Sequence, residues 1–272
     1  MLRRLFALAL AALPVPALAE TEVDVELILA VDVSRSMDFE ELKIQRDGYV
    51  EALRDPRVIS AIRSGLIGRV AVLYFEWAGP GLHHVIADWT LIETAEDADA
   101  FADRVAAGRI SAAIGTSISG ALDWAAAQFD ANAYAGLRRV IDVSGDGPNN
   151  AGDGVEAARD RVVARGITIN GLPLMMKAVD GPFSLRDLDV YYEDCVTGGP
   201  LSFVLPLWKL EEFPETVRRK LILEISGVTP PPAPRVMRAQ LGLGPADPAP
   251  RIDCFIGEKR RARWMRERGW EW

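Results

Sequence analysis

Asp32, Ser34 and Ser36 fall on alternate positions of one short stretch, Asp32-Val33-Ser34-Arg35-Ser36, and offer a carboxylate and two hydroxyls. These are hard oxygens, the donor type that suits magnesium, manganese or calcium rather than softer metals. A further hydroxyl, that of Thr116, follows Gly115, and a second carboxylate, Asp146, stands in Ser144-Gly145-Asp146-Gly147. An isolated Asp-x-Ser-x-Ser ordinarily does no more than cap the helix that follows, because Asp and Ser accept from the unpaired N–H groups of a first turn. Three polar loops of this kind become chemically interesting only if the fold gathers them.

Gathering them requires strands that end together. Leu27-Ile28-Leu29-Ala30-Val31 is an apolar run that reads as a buried central strand over 23–31, and it delivers Asp32 at its carboxyl end. A helix is expected over 39–54, with Leu42, Tyr49 and Leu53 on one face, and Asp55-Pro56 interrupts it before a short continuation to 64. Strands follow at 69–77 and 84–92, joined by the turn Gly79-Pro80-Gly81. Thr94 with Asp97 three residues on marks the start of another helix, and Gly108 ends it. Gly115-Thr116 opens a helix whose inner face carries Ile118, Leu122, Ala125 and Phe129. The remaining pattern predicts a strand at 137–143, a helix at 155–165, a strand at 167–175, a short helix at 188–195, a last strand at 201–207, and a final helix between Pro214 and Gly227. Alternating strands and helices call for a doubly wound α/β sheet, in which ligands bind at the carboxyl ends of the strands.

In chain order and spacing, the three loops resemble the metal-ion-dependent adhesion site (MIDAS) of the von Willebrand factor type A domain, and the match runs over about residues 23–227. Within that class, Glu76-Trp77, Val143-Ser144-Gly145-Asp146-Gly147 and Gly198-Gly199-Pro200 look most like a group of bacterial exported proteins. The resemblance implies a Rossmann-like, mostly parallel sheet of six strands in the order 3-2-1-4-5-6, with strand 3 antiparallel and helices on both faces. It also implies a divalent cation, magnesium ahead of manganese or calcium. Ser34 and Ser36 would ligate it through their hydroxyls, and Thr116 in one state of the site. Asp32 would act through a bridging water or as a nearby charge, and Asp146 would hold a coordinated water. Few charges among the direct ligands leave such an ion electron-poor, with one position open for an Asp or Glu carboxylate of a partner protein. Arg35, Met37, Asp38, Asn149 and Asn150 are expected on the rim facing that partner, and Glu76 behind the ligands.

Composition bounds the setting. The 272 residues, 49% of them hydrophobic, suffice for one sizeable domain with a full core. Residues 1–19 carry Arg3 and Arg4, an apolar stretch and the small pair Ala17 and Ala19, the pattern of a secretory leader cut after Ala19; the apolar part is short and broken by Pro14 and Pro16, which argues against an anchor. The chain is therefore expected to be exported, periplasmic or secreted, with no transmembrane helix after cleavage. Losing Arg3 and Arg4 takes the net charge from −8 to −10, which disfavours non-specific nucleic-acid binding. In an oxidising compartment the two cysteines, Cys195 and Cys254, are expected to form a disulfide.

The expected organisation is a leader at 1–19, an A-like domain at 20–227 and a tail at 228–272 that is rich in proline and then basic and aromatic. That tail invites contact with anionic lipid or an acidic partner. Its alternative, favoured if Cys254 is tethered, is to fold back on the domain. Three functions fit the loops: a metal-dependent protein-binding module, a metal-assisted hydrolase, and a metal-free structural domain. A hydrolase needs a general base with an accessible lone pair, and only carboxylates already assigned to the ion are in view. His83 and His84, adjacent in a strand, point to opposite faces. Residues 115–120 lack nucleophile-elbow spacing, and no strand is followed by a phosphate-binding glycine loop. The binding module is the expected reading, with no enzymatic activity.

Overall fold

The computed structural model describes residues 20–176, 183–230 and 251–269. The expected leader at 1–19 and most of the proline-rich stretch, 231–250, lie outside the described residues, as do Trp270 and Trp272. At the centre is β1 (Thr21–Asp32), buried along nearly its whole length. It pairs in parallel with β2 (Val70–Trp77) on one side and β4 (Tyr134–Gly145) on the other. β3 (His83–Ile92) runs antiparallel to β2, and β5 (Thr168–Pro173) is parallel to β4, giving the order β3-β2-β1-β4-β5.

Strand side chains alternate between faces, so β1 feeds two cores. Leu27, Leu29 and Val31 pack with α1 (Phe39–Arg54), α2 (Pro56–Arg63), α3 (Ala95–Ala107) and α7 (Phe213–Ser226). Ile28 and Ala30 pack with α4 (Ile118–Gln128), α5 (Val155–Ala164) and α6 (Leu188–Tyr191), which runs on into a π turn over Tyr192–Val196. Local chemistry sets the ends. Asp38 and Glu41 form a reciprocal cap at the start of α1, Thr94 and Asp97 do the same for α3, and Gly227 ends α7 in the left-handed conformation at φ 67°.

The expected strand order is present, with one correction. Among the described residues there are five strands, and 201–207 is not a sixth. That segment runs beside β5 through isolated bridges, Gly171 to Val204 and Leu174 to Leu207. Leu205 and Leu207 donate to Gly171 O and Pro173 O, but Pro173 has no N–H to return the bond between them, so the ladder is broken there. A second correction concerns the tail. Residues 256–267, expected as part of an extended tail, form a helix, α8 (Ile256–Glu267). Among the described residues no helix is long and apolar enough to cross a membrane.

Candidate metal centre

β1 and β4 end side by side at the same edge, with Val31 opposite Ser144. The approach there is close enough that a Cβ on Gly145 would lie 3.0 Å from Asp32 Oδ2 and 2.9 Å from the Tyr192 hydroxyl. Glycine at 145 is what lets the loop carrying Asp146 close over the end of β1. Beyond Asp32 the chain turns, and the Ser34 N–H donates to Asp32 Oδ1 at 2.7 Å. The hydroxyls of Ser34 and Ser36 lie 2.8 Å apart, and Ser36 Oγ donates to Asp146 Oδ1 at 2.7 Å. Two loops 110 residues apart thus share one run of oxygens.

Thr116 sits on the adjoining loop. Ala113 bridges to Ser34, its N–H reaching Val33 O at 3.0 Å and its O accepting from Arg35 N at 2.8 Å. From the other side Asn150 clamps Thr116 twice, Thr116 N–H to Asn150 Oδ1 at 3.0 Å and Asn150 N–H to Thr116 O at 2.9 Å. The structure therefore links Asp32, Ser34, Ser36 and Asp146 directly and holds Thr116 next to them by its backbone. Asp32, Ser34, Thr116 and Asp146 are buried, whereas Ser36 is exposed, so the oxygens open to solvent on the Ser36 side.

Among the described residues no group of three or more His, Cys, Asp or Glu side chains is arranged to hold a metal. The donors that do converge are two carboxylates and two hydroxyls at hydrogen-bond spacing, with a third hydroxyl on the neighbouring loop. Such a set fits a hard cation that accepts neutral oxygens, and not a zinc site of the thiolate and imidazole type. Tyr192, from the π turn, stands against the same strand ends. Burial raises its hydroxyl well above the ordinary tyrosine range, and the negative charges of Asp32 and Asp146 raise it further. It stays a neutral hydroxyl beside two carboxylates. Nothing in its sequence context distinguishes it from a core tyrosine.

The expected rim needs correction. Arg35 and Asp38 are exposed, and Asp38 is occupied in capping α1. Met37 is 4% exposed and belongs to the core. Asn149 and Asn150 are 0% and 8% exposed; their amides brace the loops, Asn149 Oδ1 accepting from Ser119 N at 3.1 Å while Asn150 holds Thr116. Loop backbone that is buried must find partners, and these two side chains supply them. In their place the structure presents Phe39, 65% exposed, and Ile114, 71% exposed, directly after the first and before the second of the polar loops. Glu76 lies opposite Val31, the residue before Asp32, on the neighbouring strand. It is buried in an ion pair with Arg46 of α1, whose guanidinium also donates to Gly108 O, and burial raises the carboxyl above its usual range. His83 is half-buried and stacks on Trp124 with ring centroids 5.3 Å apart, so it is a packing residue and not an ordinary surface histidine.

Cys195 and Cys254 are disulfide-bonded, with Cα atoms 5.5 Å apart. The bond anchors α8 against loop 148–154, where Glu258 accepts from Asn149 Nδ2 at 2.6 Å and Arg261 donates to Asn150 O at 3.2 Å. A Cβ on Gly257 would fall 2.0 Å from Asn149 O, so α8 can sit this close only with glycine there. The described part of the tail folds back, as the tethered alternative requires.

The family model described as "Protein of unknown function (DUF1194)" matches residues 22–229. A search of curated proteins finds no match. Among solved structures, proximal thread matrix protein 1 from the mussel byssus is similar at 16% identity, with a TM-score of 0.54, over 76% of this chain and 49% of that one. A structure of the same mussel protein with a zinc-occupied MIDAS motif aligns at 14% identity and a TM-score of 0.54, over 76% of this chain and 49% of that one. The pilus adhesin SpaC from Lactobacillus rhamnosus GG is similar at 13% identity and a TM-score of 0.55, over 75% of this chain and 31% of that one. This chain thus spans about half the length of the mussel protein and about a third of the adhesin. At these identities the likeness is one of fold, and the fold is the A-domain type that the loops resemble.

Proposed function

We propose that this chain, which belongs to the DUF1194 family, is an exported protein-binding module that grips a partner through a divalent cation. The observation that carries the reading is the continuous run of oxygens from Asp32 through Ser34 and Ser36 to Asp146, open to solvent at Ser36. Ser34, Ser36 and Thr116 would hold the ion through hydroxyls, with Asp32 and Asp146 supplying the nearby negative charge. When bound, a hard cation of this kind, magnesium in the first instance, supplies an electrophilic centre for an Asp or Glu carboxylate of the partner.

The chain's own residues do the rest. The Ser34 N–H fixes the Asp32 carboxylate, and Gly145 lets the Asp146 loop approach. Asn150 fixes the loop of Thr116. The exposed Phe39 and Ile114 give a protein partner apolar surface beside a polar centre, the usual composition of a binding hot spot. Adhesion and matrix roles in the names of the similar structures support the same reading by analogy.

A pull-down of exported proteins with the mature chain, with and without EDTA, tests the proposal. Partners retained with magnesium and released by EDTA are expected. Identical capture in both conditions would contradict it.

A further inference from the structure

We propose that α8 is the second half of the partner site, an arm that receives an acidic segment of the same polypeptide whose carboxylate meets the ion; this rests on the function proposed above. Residues 251–269 carry seven Arg and Lys against three Asp and Glu, on a chain whose net charge is −8. Opposite signs within a chain would ordinarily be neutralised by contact, and part of this segment is: Arg251 pairs with Glu193 and Asp194, and Lys259 with Asp253. The arginines of α8 are not. Arg260 and Arg261 donate to the carbonyls of Ser184 and Asn150, which leaves their charge uncompensated. Arg263 and Arg266 are exposed and engage no carboxylate among the described residues. Spacing of three and four residues puts Lys259, Arg263 and Arg266 on one outward stripe of the helix.

Position decides what the stripe is for. Arg261 contacts Asn150, and Asn150 holds Thr116, so the arm and the oxygens share loop 148–154. The disulfide at Cys254 and the close seat of Gly257 fix the arm there instead of leaving it to sample the surface. α8 has 12 residues and so runs about 18 Å. An extended peptide covers that distance in about six residues. The occupant that fits is therefore a short acidic stretch. One of its carboxylates would meet the ion, and others would lie along the arginines. Charge complementarity of this kind speeds encounter and selects partners, and it weakens as salt rises.

The test uses the full mature chain and poly-L-glutamate as probe, read by biolayer interferometry in magnesium at low and physiological salt. Wild type is expected to bind, with affinity falling at higher salt. The double variant Arg263→Glu/Arg266→Glu is expected to bind at least about tenfold more weakly and with less salt dependence. Both substituted positions are exposed, so an unchanged melting temperature shows that folding is not the cause. Loss of binding in EDTA with no effect of the charge reversal would keep the ion reading and overturn this one. Loss on charge reversal with no effect of EDTA would keep α8 as the acidic-segment arm and overturn the ion reading. Binding to phosphatidylglycerol vesicles with none to poly-L-glutamate would overturn the proposal in favour of a membrane surface.

Discussion

Glu224→Gln should stabilise the protein at pH 8 and flatten its stability between pH 5 and 7. Glu224, Asp142 and Lys220 are all fully or almost fully buried between α7 and β4. Lys220 Nζ lies 2.7 Å from Asp142 Oδ1 as an ion pair and also contacts Glu224, which accepts from Asn170 Nδ2 at 3.0 Å. Two buried carboxylates share one ammonium, so with both ionised the cluster carries a net negative charge away from water. Burial first, and then the charge of Asp142, raises Glu224 from 4.5 to about 7. A raised carboxyl binds its proton more tightly in the folded state. Its stabilising contribution is therefore complete below the unfolded value near 4.5 and is lost as pH rises through about 7. At 1.36 kcal/mol per pH unit the full span corresponds to about 3 kcal/mol. Glutamine keeps the acceptor for Lys220 and Asn170 without the charge, so at pH 8 it should recover about 1–3 kcal/mol, or several degrees in melting temperature for a domain of this size. Urea titrations of both proteins at pH 5, 6, 7 and 8 give the comparison. A variant less stable than wild type at pH 8, or one that keeps the wild-type slope between pH 5 and 7, would refute the reasoning.

Gly257→Ala should lift α8 from loop 148–154, because the new methyl meets Asn149 O; a cost of about 1–3 kcal/mol is expected. Hydrogen exchange should report it as faster exchange at the Thr116 and Ser119 amides, which Asn150 and Asn149 hold; unchanged protection there would count against the coupling. Replacing Cys195 and Cys254 by serine opens a loop of 59 residues' separation and should lower stability by about 4 kcal/mol in the loop-closure picture, seen as a lower urea midpoint that dithiothreitol reproduces in wild type. Equal midpoints with and without the bond would show that α8 is held by its other contacts alone.

The parts of the fold that were legible are those where one local rule suffices. The all-apolar run of β1 announces a central strand, and Thr94-Asp97 and Gly227 announce helix ends. The three polar loops are legible because short polar runs at strand ends need no long-range information to be recognised. α8 was not, since its sequence has no apolar stripe to bury. It is held by a disulfide, one glycine contact, polar bonds to Asn149 and Asn150 and the packing of Ile256 and Trp264, which together make no continuous apolar stripe. The same two asparagines looked like rim residues because a polar loop residue is normally exposed; here the loop is covered by α8, and their amides replace lost water. Lys220 and Glu224 have the spacing common to i, i+4 surface pairs, and only the position of Asp142 across the core marks the cluster as buried. The missing sixth strand turns on Pro173, whose absent N–H breaks the ladder although the side-chain pattern favours one.

Calorimetric titration of the protein with magnesium and manganese tests most directly whether the converging oxygens bind one hard divalent cation. Asp32→Ala is a poor probe, because Asp32 is fully buried and takes the Ser34 N–H, so its loss would also loosen the turn. Ser36→Ala and Asp146→Asn alter the exposed hydroxyl and the facing carboxylate with less disturbance. One ion per wild-type chain, with affinity reduced at least about tenfold in each variant and melting temperatures nearly unchanged, is the predicted result. No binding heat in the wild type, or equal affinity in wild type and Asp146→Asn, would contradict it.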